Sequence, residues 1–457
     1  MKKKFLLRLR AFFIVLPVFV FPVLLFAQNE VVFYNSGAYI KNTAIIVSEG
    51  GMNLNAGSNI TGQFVNNGRV YVRTAFGPPF NTWRGNLFIT NQGTVHCNGK
   101  FFIEQDFVNN NGHFFGDSGT VFMDNACYLC RDVDYHVQRI SGTTVTTFHN
   151  LVISNTGTLL GVEMDIDAKT ADNGILNITN LELNTLDKQF TVLNPNPASL
   201  DRTTGFVSGT IESEGRLIRR TNSTSAYLFP LGSNQNSFRY RPVVINPLDT
   251  TVNLYGGRLD NDNADYHGMP TQANVGSDLA SGFNPHFYHL VTRDSGSALA
   301  DITVNYIPSV DGDYMGMSFF ENQKKLWRSV GTTTDGSATG FTTRTRPRWG
   351  FTRAEDRYFI LNNLDAAIDT IPNLITANGD GFNDFFHIQS ANVKEMNVKI
   401  YNRWGVLLFD FTAPQIDWDG RTLAGAEVPN GTYFYILNCT LLTDEKVNRR
   451  GFFSLVR

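Results

Sequence analysis

The sequence predicts an all-β protein: a parallel β-helix-like solenoid over residues 28–215, a β-sandwich over 216–362 and a small β-domain over 373–457. A leader over 1–27 and a linker over 363–372 complete the chain. Three observations predict this. Glycine and phenylalanine number 40 and 37 of 457 residues, and asparagine is abundant, a mix suited to short strands, tight turns and aromatic packing. Charged residues are 17%, well under the roughly 25% of ordinary soluble domains, which argues against a coiled coil or a disordered chain. A strand–Asn/Gly–strand pattern also recurs through the first half. With 38 basic and 41 acidic residues there is no strongly basic face, so nucleic acid is not expected as a partner.

The first element is an address. Lys2, Lys3, Lys4, Arg8 and Arg10 precede an uncharged apolar run from Ala11 to Ala27, and Leu25 with Ala27 forms a −3/−1 cleavage pair. This is the layout of a secretory signal peptide. As a membrane anchor the run is short for a hydrocarbon core of about 30 Å, and Pro17 and Pro22 interrupt it. Export implies an oxidising compartment. The four cysteines, Cys97, Cys127, Cys130 and Cys439, allow three pairings that spacing does not separate, or unpaired thiols. Cys127 and Cys130 have the spacing of half a zinc site, but only His136 lies near them in sequence.

The second element repeats. Phe64-Val65-Asn66-Asn67-Gly68 recurs as Phe107-Val108-Asn109-Asn110-Asn111-Gly112, with weaker copies ending at Gly93 and Gly157. The glycine spacings fit units of about 20–25 residues. One such unit cannot bury its apolar face alone, whereas stacked units share a core. The competing architecture is a set of antiparallel β-domains. Near residue 216 the rhythm stops, and strands such as Ile302–Ile307 and Tyr358–Leu361 take over, separated by polar turns. The small, acidic residues of Asn363–Ile371 read as a linker.

The last element carries the densest signal. Asn378-Gly379-Asp380-Gly381-Phe382-Asn383-Asp384 is a turn-forming loop. Ile400-Tyr401-Asn402 leads into Arg403-Trp404-Gly405, and Trp418-Asp419-Gly420 marks another turn. Pro429-Asn430-Gly431-Thr432 opens the apolar strand from Tyr433, and the chain ends on Gly451–Arg457. In type and order these segments resemble the type B sorting domain of the type IX secretion system, also called the gliding motility-associated C-terminal domain, of Bacteroidetes. Ala377 stands where that family usually has proline.

The resemblance implies a small Ig-like β-sandwich and an export route. The leader carries the chain across the inner membrane, and the tail is read by the type IX translocon and an outer-membrane partner protein. The residues it singles out are Asn378, Gly379, Asp380, Gly381, Asn383, Asp384, Arg403, Trp404, Gly405, Trp418, Asp419, Gly420, Pro429, Gly431, Thr432, Tyr433 and Arg457. The ordinary role of Trp404, Trp418 and Tyr433 is core packing. Asn378, Asp380 and Asp384 carry calcium-type oxygens but lack the EF-hand spacing, and an Asx-turn network satisfying its own backbone is the plainer reading.

Catalytic patterns are sparse. Gly116-Asp117-Ser118-Gly119 with His96 and Asp106 has the residue order of a serine protease, but His96 and Ser118 lie too close in sequence for that geometry. Asp132 and Asp134 with Arg139, and Glu163, Asp165 and Asp167, place acids on one strand face, as an acidic row in a polysaccharide lyase would. A solvent-facing polar edge is the plainer reading. His286 and His289 sit in a loop-like segment and make no metal pair. Asp249-Thr250-Thr251 and Asp369-Thr370-Ile371 look similar to Bacteroidetes O-glycosylation acceptors. The expectation is therefore an exported, non-enzymatic surface or secreted protein, adhesin-like or structural, contacting glycans or proteins and using no cofactor. The alternative is a polysaccharide-degrading enzyme.

Overall fold

The computed structural model describes residues 33–36, 39–49, 52–55, 63–73, 75–77, 81–83, 86–90, 92–124, 137–154, 161–271, 282–323, 325–330, 333–351, 357–362, 371–379, 383–389, 393–413, 415–441 and 446–457. The leader, Cys127, Cys130, Asp132, Asp134, His136, Asp369, Asp380 and Gly381 lie outside them. The described chain is all-β, with only short helical turns. It divides into two compact units: Met1–Asp260 with Thr292–Ala298, and Asn261–Val291 with Leu299–Arg457.

The first unit is built on parallel ladders. One runs through Phe33–Ser36, Met52–Asn55, Leu87–Thr90, Phe107–Asn110, Gln138–Gly142, Val162–Met164, Glu182–Asn184 and Phe206–Ser208. A second begins at Tyr39–Asn42 and passes through Gln63–Asn66, Thr94–Cys97 and His113–Phe115 to Arg216–Thr221. A third begins at Ile45–Glu49 and passes through Arg69–Arg73, Lys100–Ile103 and Thr120–Asp124 to Leu200–Arg202. The chain visits the three in turn and then repeats. The register offset is 19 residues where Thr94 faces His113 and 35 where Met52 faces Leu87. The longer offset accommodates a hairpin of Ala75–Gly77 with Asn81–Trp83.

Alternate residues of each ladder point inward. Phe64 meets Phe101 at 6.1 Å between ring centroids, and Phe107 meets Phe114 at 5.3 Å and Phe148 at 5.1 Å. Each ring fully buried in this way contributes roughly 1.5–3 kcal/mol. Outside, Tyr71, Phe102 and Phe122 occupy one register position of the third ladder and stack at 4.6 and 4.5 Å.

The corners explain the asparagines. Asn42 donates to Asn66 Oδ1 at 2.9 Å, which also accepts from Gly68 N–H at 3.1 Å, and Asn66 Nδ2 donates to the Lys100 carbonyl at 3.1 Å. These buried amides satisfy backbone groups that a corner leaves unpaired. A Cβ on Gly68 would lie 2.0 Å from the Ala44 carbonyl oxygen, so only glycine fits there. The two clearest repeat copies are not equivalent: Gln63–Asn66 belongs to the second ladder and Phe107–Asn110 to the first. Asn67-Gly68 and Asn98-Gly99 sit at corners between the second and third ladders and Asn111-Gly112 at one between the first and second, so the motif marks individual corners rather than whole repeats.

At Arg216–Thr221 the pairing changes, with a parallel neighbour on one side and the antiparallel Asn253–Asp260 on the other. Arg258 and Asp260 form a fully buried ion pair at 2.5 Å, and Arg258 also donates to the Ser213 and Gly215 carbonyls. In the second unit Gly316–Glu321 pairs antiparallel with Leu326–Ser329 and Tyr358–Asn362, and Ala300–Tyr306 pairs with Phe341–Trp349.

The C-terminal domain has a five-stranded sheet in the order Leu374–Thr376, Lys446–Val456, Gly431–Leu441, Val393–Tyr401, Leu407–Ala413. A two-stranded ladder, Phe386–Gln389 with Gln415–Trp418, packs on one of its faces. Phe386, Ile388, Ile416 and Trp418 from the ladder share a buried core with Val398, Leu437, Cys439 and Phe453 from the sheet.

Candidate functional site

The sequence motifs of the C-terminal domain converge on two structural jobs, closing turns and clasping the core. Asp384 Oδ1 accepts the Gly379 N–H at 2.7 Å and the Asn378 N–H at 3.1 Å, while Thr376 N–H donates to the Asn383 carbonyl at 2.8 Å. Asn383 takes a left-handed φ of 53° and Gly379 one of 77°. Two backbone amides thus engage one oxygen of the Asp384 carboxylate. Among the described residues no group of three or more acidic, histidine or cysteine side chains is placed to hold a metal.

Asn402 builds the next turn. Its Oδ1 accepts the N–H groups of Trp404 and Val406, both at 2.9 Å, and Gly405 supplies a φ of 77°. Trp404 is thereby held outward, 76% exposed, with the Arg403 guanidinium 5.0 Å from its ring. Core packing, the ordinary role of such aromatics, describes Trp418 and Tyr433, both buried, but not Trp404.

The remaining motifs meet at the chain end. Trp418 Nε1 donates to the Arg421 carbonyl at 2.6 Å, and Tyr433 OH donates to the Pro429 carbonyl at 2.5 Å. The two rings pack edge-to-face at 5.8 Å, and Phe453 lies against both. Arg457 donates to the Val428 carbonyl at 2.7 Å and the Gly420 carbonyl at 2.8 Å. Gly420 has a φ of 79°, and a Cβ there would lie 2.6 Å from a Leu455 methyl and 2.8 Å from Arg457. Asp419 Oδ1 accepts the Arg421 N–H at 3.1 Å. Thr432 pairs with Ser454, and Gly431 with Leu455, in the antiparallel ladder.

Residues 369–455 match the family model described as CHU_C Type IX secretion signal domain. The C-terminal segment is a type IX secretion signal domain. No curated protein matches the chain. The signal domain implies export of the chain through the type IX system, to the cell surface or the medium, and contact with that machinery. Ala377, where the family usually has proline, donates its N–H to the Val456 carbonyl at 3.0 Å, a bond proline lacks.

One feature of the signal domain went unread in the sequence. The outer face of its five-stranded sheet carries Phe434, Ile436 and Phe452 at 44%, 41% and 67% exposure. Its signal was present: Tyr433–Leu437 is apolar at every position rather than every second one, so the strand is apolar on both faces.

Elsewhere the residues singled out for chemistry are engaged. Arg139 holds Glu163 at 2.8 Å and Asp165 at 3.0 Å, and its backbone N–H donates to Asp106. The hydrogen bond to Asp165 pushes the already high guanidinium pKa further up. Asp167 accepts the Gln189 N–H at 2.8 Å. His96 Nδ1 contacts Asp117 at 2.9 Å and its ring stacks on Phe115. His289 is buried and His286 exposed. Cys97 and Cys439 are free thiols, and burial pushes them up to about 12 and about 11. Asp249 accepts from the Thr251 N–H at 2.9 Å in an exposed turn next to Thr250.

Proposed function

We propose that this protein is an exported, non-enzymatic surface or secreted protein of Bacteroidetes type, in which a parallel β-helix body is displayed and an Ig-like β-sandwich at the C-terminus directs its passage. The observation that carries the reading is the match of residues 369–455 to a secretion signal domain that closes its own core. The three parallel ladders with inward asparagines support the β-helix reading of the body. The body acts as an adhesive or structural surface toward glycans or proteins, after removal of the leader. The tail meets the translocon and an outer-membrane partner protein.

The reading assigns no catalytic residue and no cofactor. The engagement of Arg139 by Glu163 and Asp165 supports a structural rather than a lyase role for that strand face. Asp384, by accepting the Asn378 and Gly379 N–H groups, supports a loop that satisfies its own backbone rather than a calcium site. The test is deletion of residues 373–457 and fractionation of the cells. Retention in the periplasm is the expected result, and unchanged export of the truncated chain refutes the reading.

A further inference from the structure

The signal domain leaves one face of its five-stranded sheet without a covering layer among the described residues. Two register rows define it. Tyr401, Phe434 and Phe452 face one another across three strands, and Lys399, Ile436 and Arg450 form the next row. The first row is aromatic, with Phe434 and Phe452 6.5 Å apart, and the second sets an aliphatic side chain between two cations. Lys399 meets Asp410 at 3.4 Å, while Arg450 is exposed beside Phe452. Solvated sheet faces are ordinarily polar, and contiguous apolar patches on them mark contact surfaces.

We propose that this face is where the export machinery grips the domain, through a protein surface that offers an apolar strip edged by carboxylates. This rests on the sorting reading above. Charge selects the occupant's chemistry: Arg450, exposed on the same face as Phe452 and opposite Ile436, calls for an acidic group at the edge of an apolar centre. Size selects its lifetime. Five strands about 4.8 Å apart and six residues at about 3.4 Å give a face of roughly 20 by 20 Å, on the order of 400 Å². Two such surfaces bury on the order of 800 Å², below the roughly 1,200 Å² where stable association begins. That is too little for a stable dimer of this chain and suits a signal that must be released after it is read. Phe434 and Phe452 are the anchors, since a few large side chains that lose their water at the centre of a contact carry most of its energy.

The experiment uses the full chain in a host with a working type IX system, and reads the exported fraction by immunoblot of medium and surface against periplasm. The variants are Phe434→Ser with Phe452→Ser, Phe452→Ser alone, Arg450→Glu, Arg450→Lys and the 373–457 deletion. The double variant is expected to lower export about tenfold while the thermal midpoint of the purified protein is kept, because both rings are exposed. Arg450→Glu is expected to lower export and Arg450→Lys to restore it. If the double variant melts early, Phe452→Ser alone decides. Wild-type export of the face variants with retention of the deletion overturns the face and leaves the sorting reading standing. Export of the deletion overturns both. Co-sedimentation of the wild type, but not of Phe452→Ser, with phosphatidylethanolamine–phosphatidylglycerol vesicles assigns the face to lipid and overturns the proposal. So does a dimer on gel filtration that Phe452→Ser dissociates.

Discussion

Replacing Arg457 with alanine removes the clasp at the end of the chain. Its guanidinium donates to the Val428 and Gly420 carbonyls at 2.7 and 2.8 Å, and its side chain is 22% exposed. A hydrogen bond from a charged donor contributes about 1.5–3 kcal/mol, and two would reach about 3–6 if fully buried and additive. Partial exposure and rehydration of the freed carbonyls reduce this to about 2 kcal/mol. That is roughly a thirtyfold rise in the opening constant of the domain. Hydrogen exchange of the intact protein reads it directly, in peptides covering Gly431–Leu441 and Lys446–Val456, which pair along their length. Arg457→Lys is expected to recover part of the protection, since an ammonium lacks the fork that reaches both carbonyls. Arg421→Ala is the control. Its pairs with Asp419 and Glu427 are exposed, and removing them costs about 0.5 kcal/mol or less. A loss of protection in Arg457→Ala below about threefold, or equal to that of Arg421→Ala, refutes the clasp.

Three further outcomes follow from the geometry. Asn66→Ala removes the partner of the Gly68 N–H, one acceptor of the Asn42 amide (which keeps the Arg69 carbonyl) and one donor to the Lys100 carbonyl, and is expected to cost about 2–4 kcal/mol, seen as an early thermal transition of the body. Burial raises the Glu182 carboxyl, opposed in part by hydrogen bonds from Ser208 and Asn234. The folded state therefore favours the protonated form, so stability is greatest below the unfolded pKa and falls as pH rises toward the raised folded value; Glu182→Gln flattens this slope in urea midpoints measured from about pH 4 to about pH 7. Because the Asp384 carboxylate caps two amides, millimolar calcium against chelator is expected to move the thermal midpoint by less than about 1 °C, and a larger calcium-dependent rise would restore the metal reading.

Strand character was legible wherever one face is buried. Arg69–Arg73 alternates in sequence, and Val70 and Val72 are buried while Tyr71 is partly exposed. Corner chemistry was legible too, because Asn66 and Gly68 do jobs few other residues can do. What stayed hidden was which corner each motif marks. Gln63–Asn66 and Phe107–Asn110 look like copies, yet they lie in different ladders, since a bend in either ladder can use the same asparagine and glycine chemistry. The place of Trp404 was hidden for the opposite reason. Hydrophobicity predicts burial, but Asn402 takes the N–H groups on both sides of the turn and fixes the indole outside it.

The residues that identify the signal domain are mostly those that make it fold. Asp384 and Asn402 close turns, Gly420 admits a close approach, Trp418 and Tyr433 fill the core, and Arg457 ties the end down. Few of them are free to touch a partner. On the proposal above, the side chains met by a machine that reads this tail are sought among exposed ones, and Phe434, Phe452 and Trp404 are exposed. The two classes separate by experiment. Substitutions at Gly420 or Trp418 lower export together with stability, because a buried contact or a left-handed turn is lost. Substitutions at Phe434 or Phe452 lower export with stability kept, because an exposed ring contributes little to the fold that presents it.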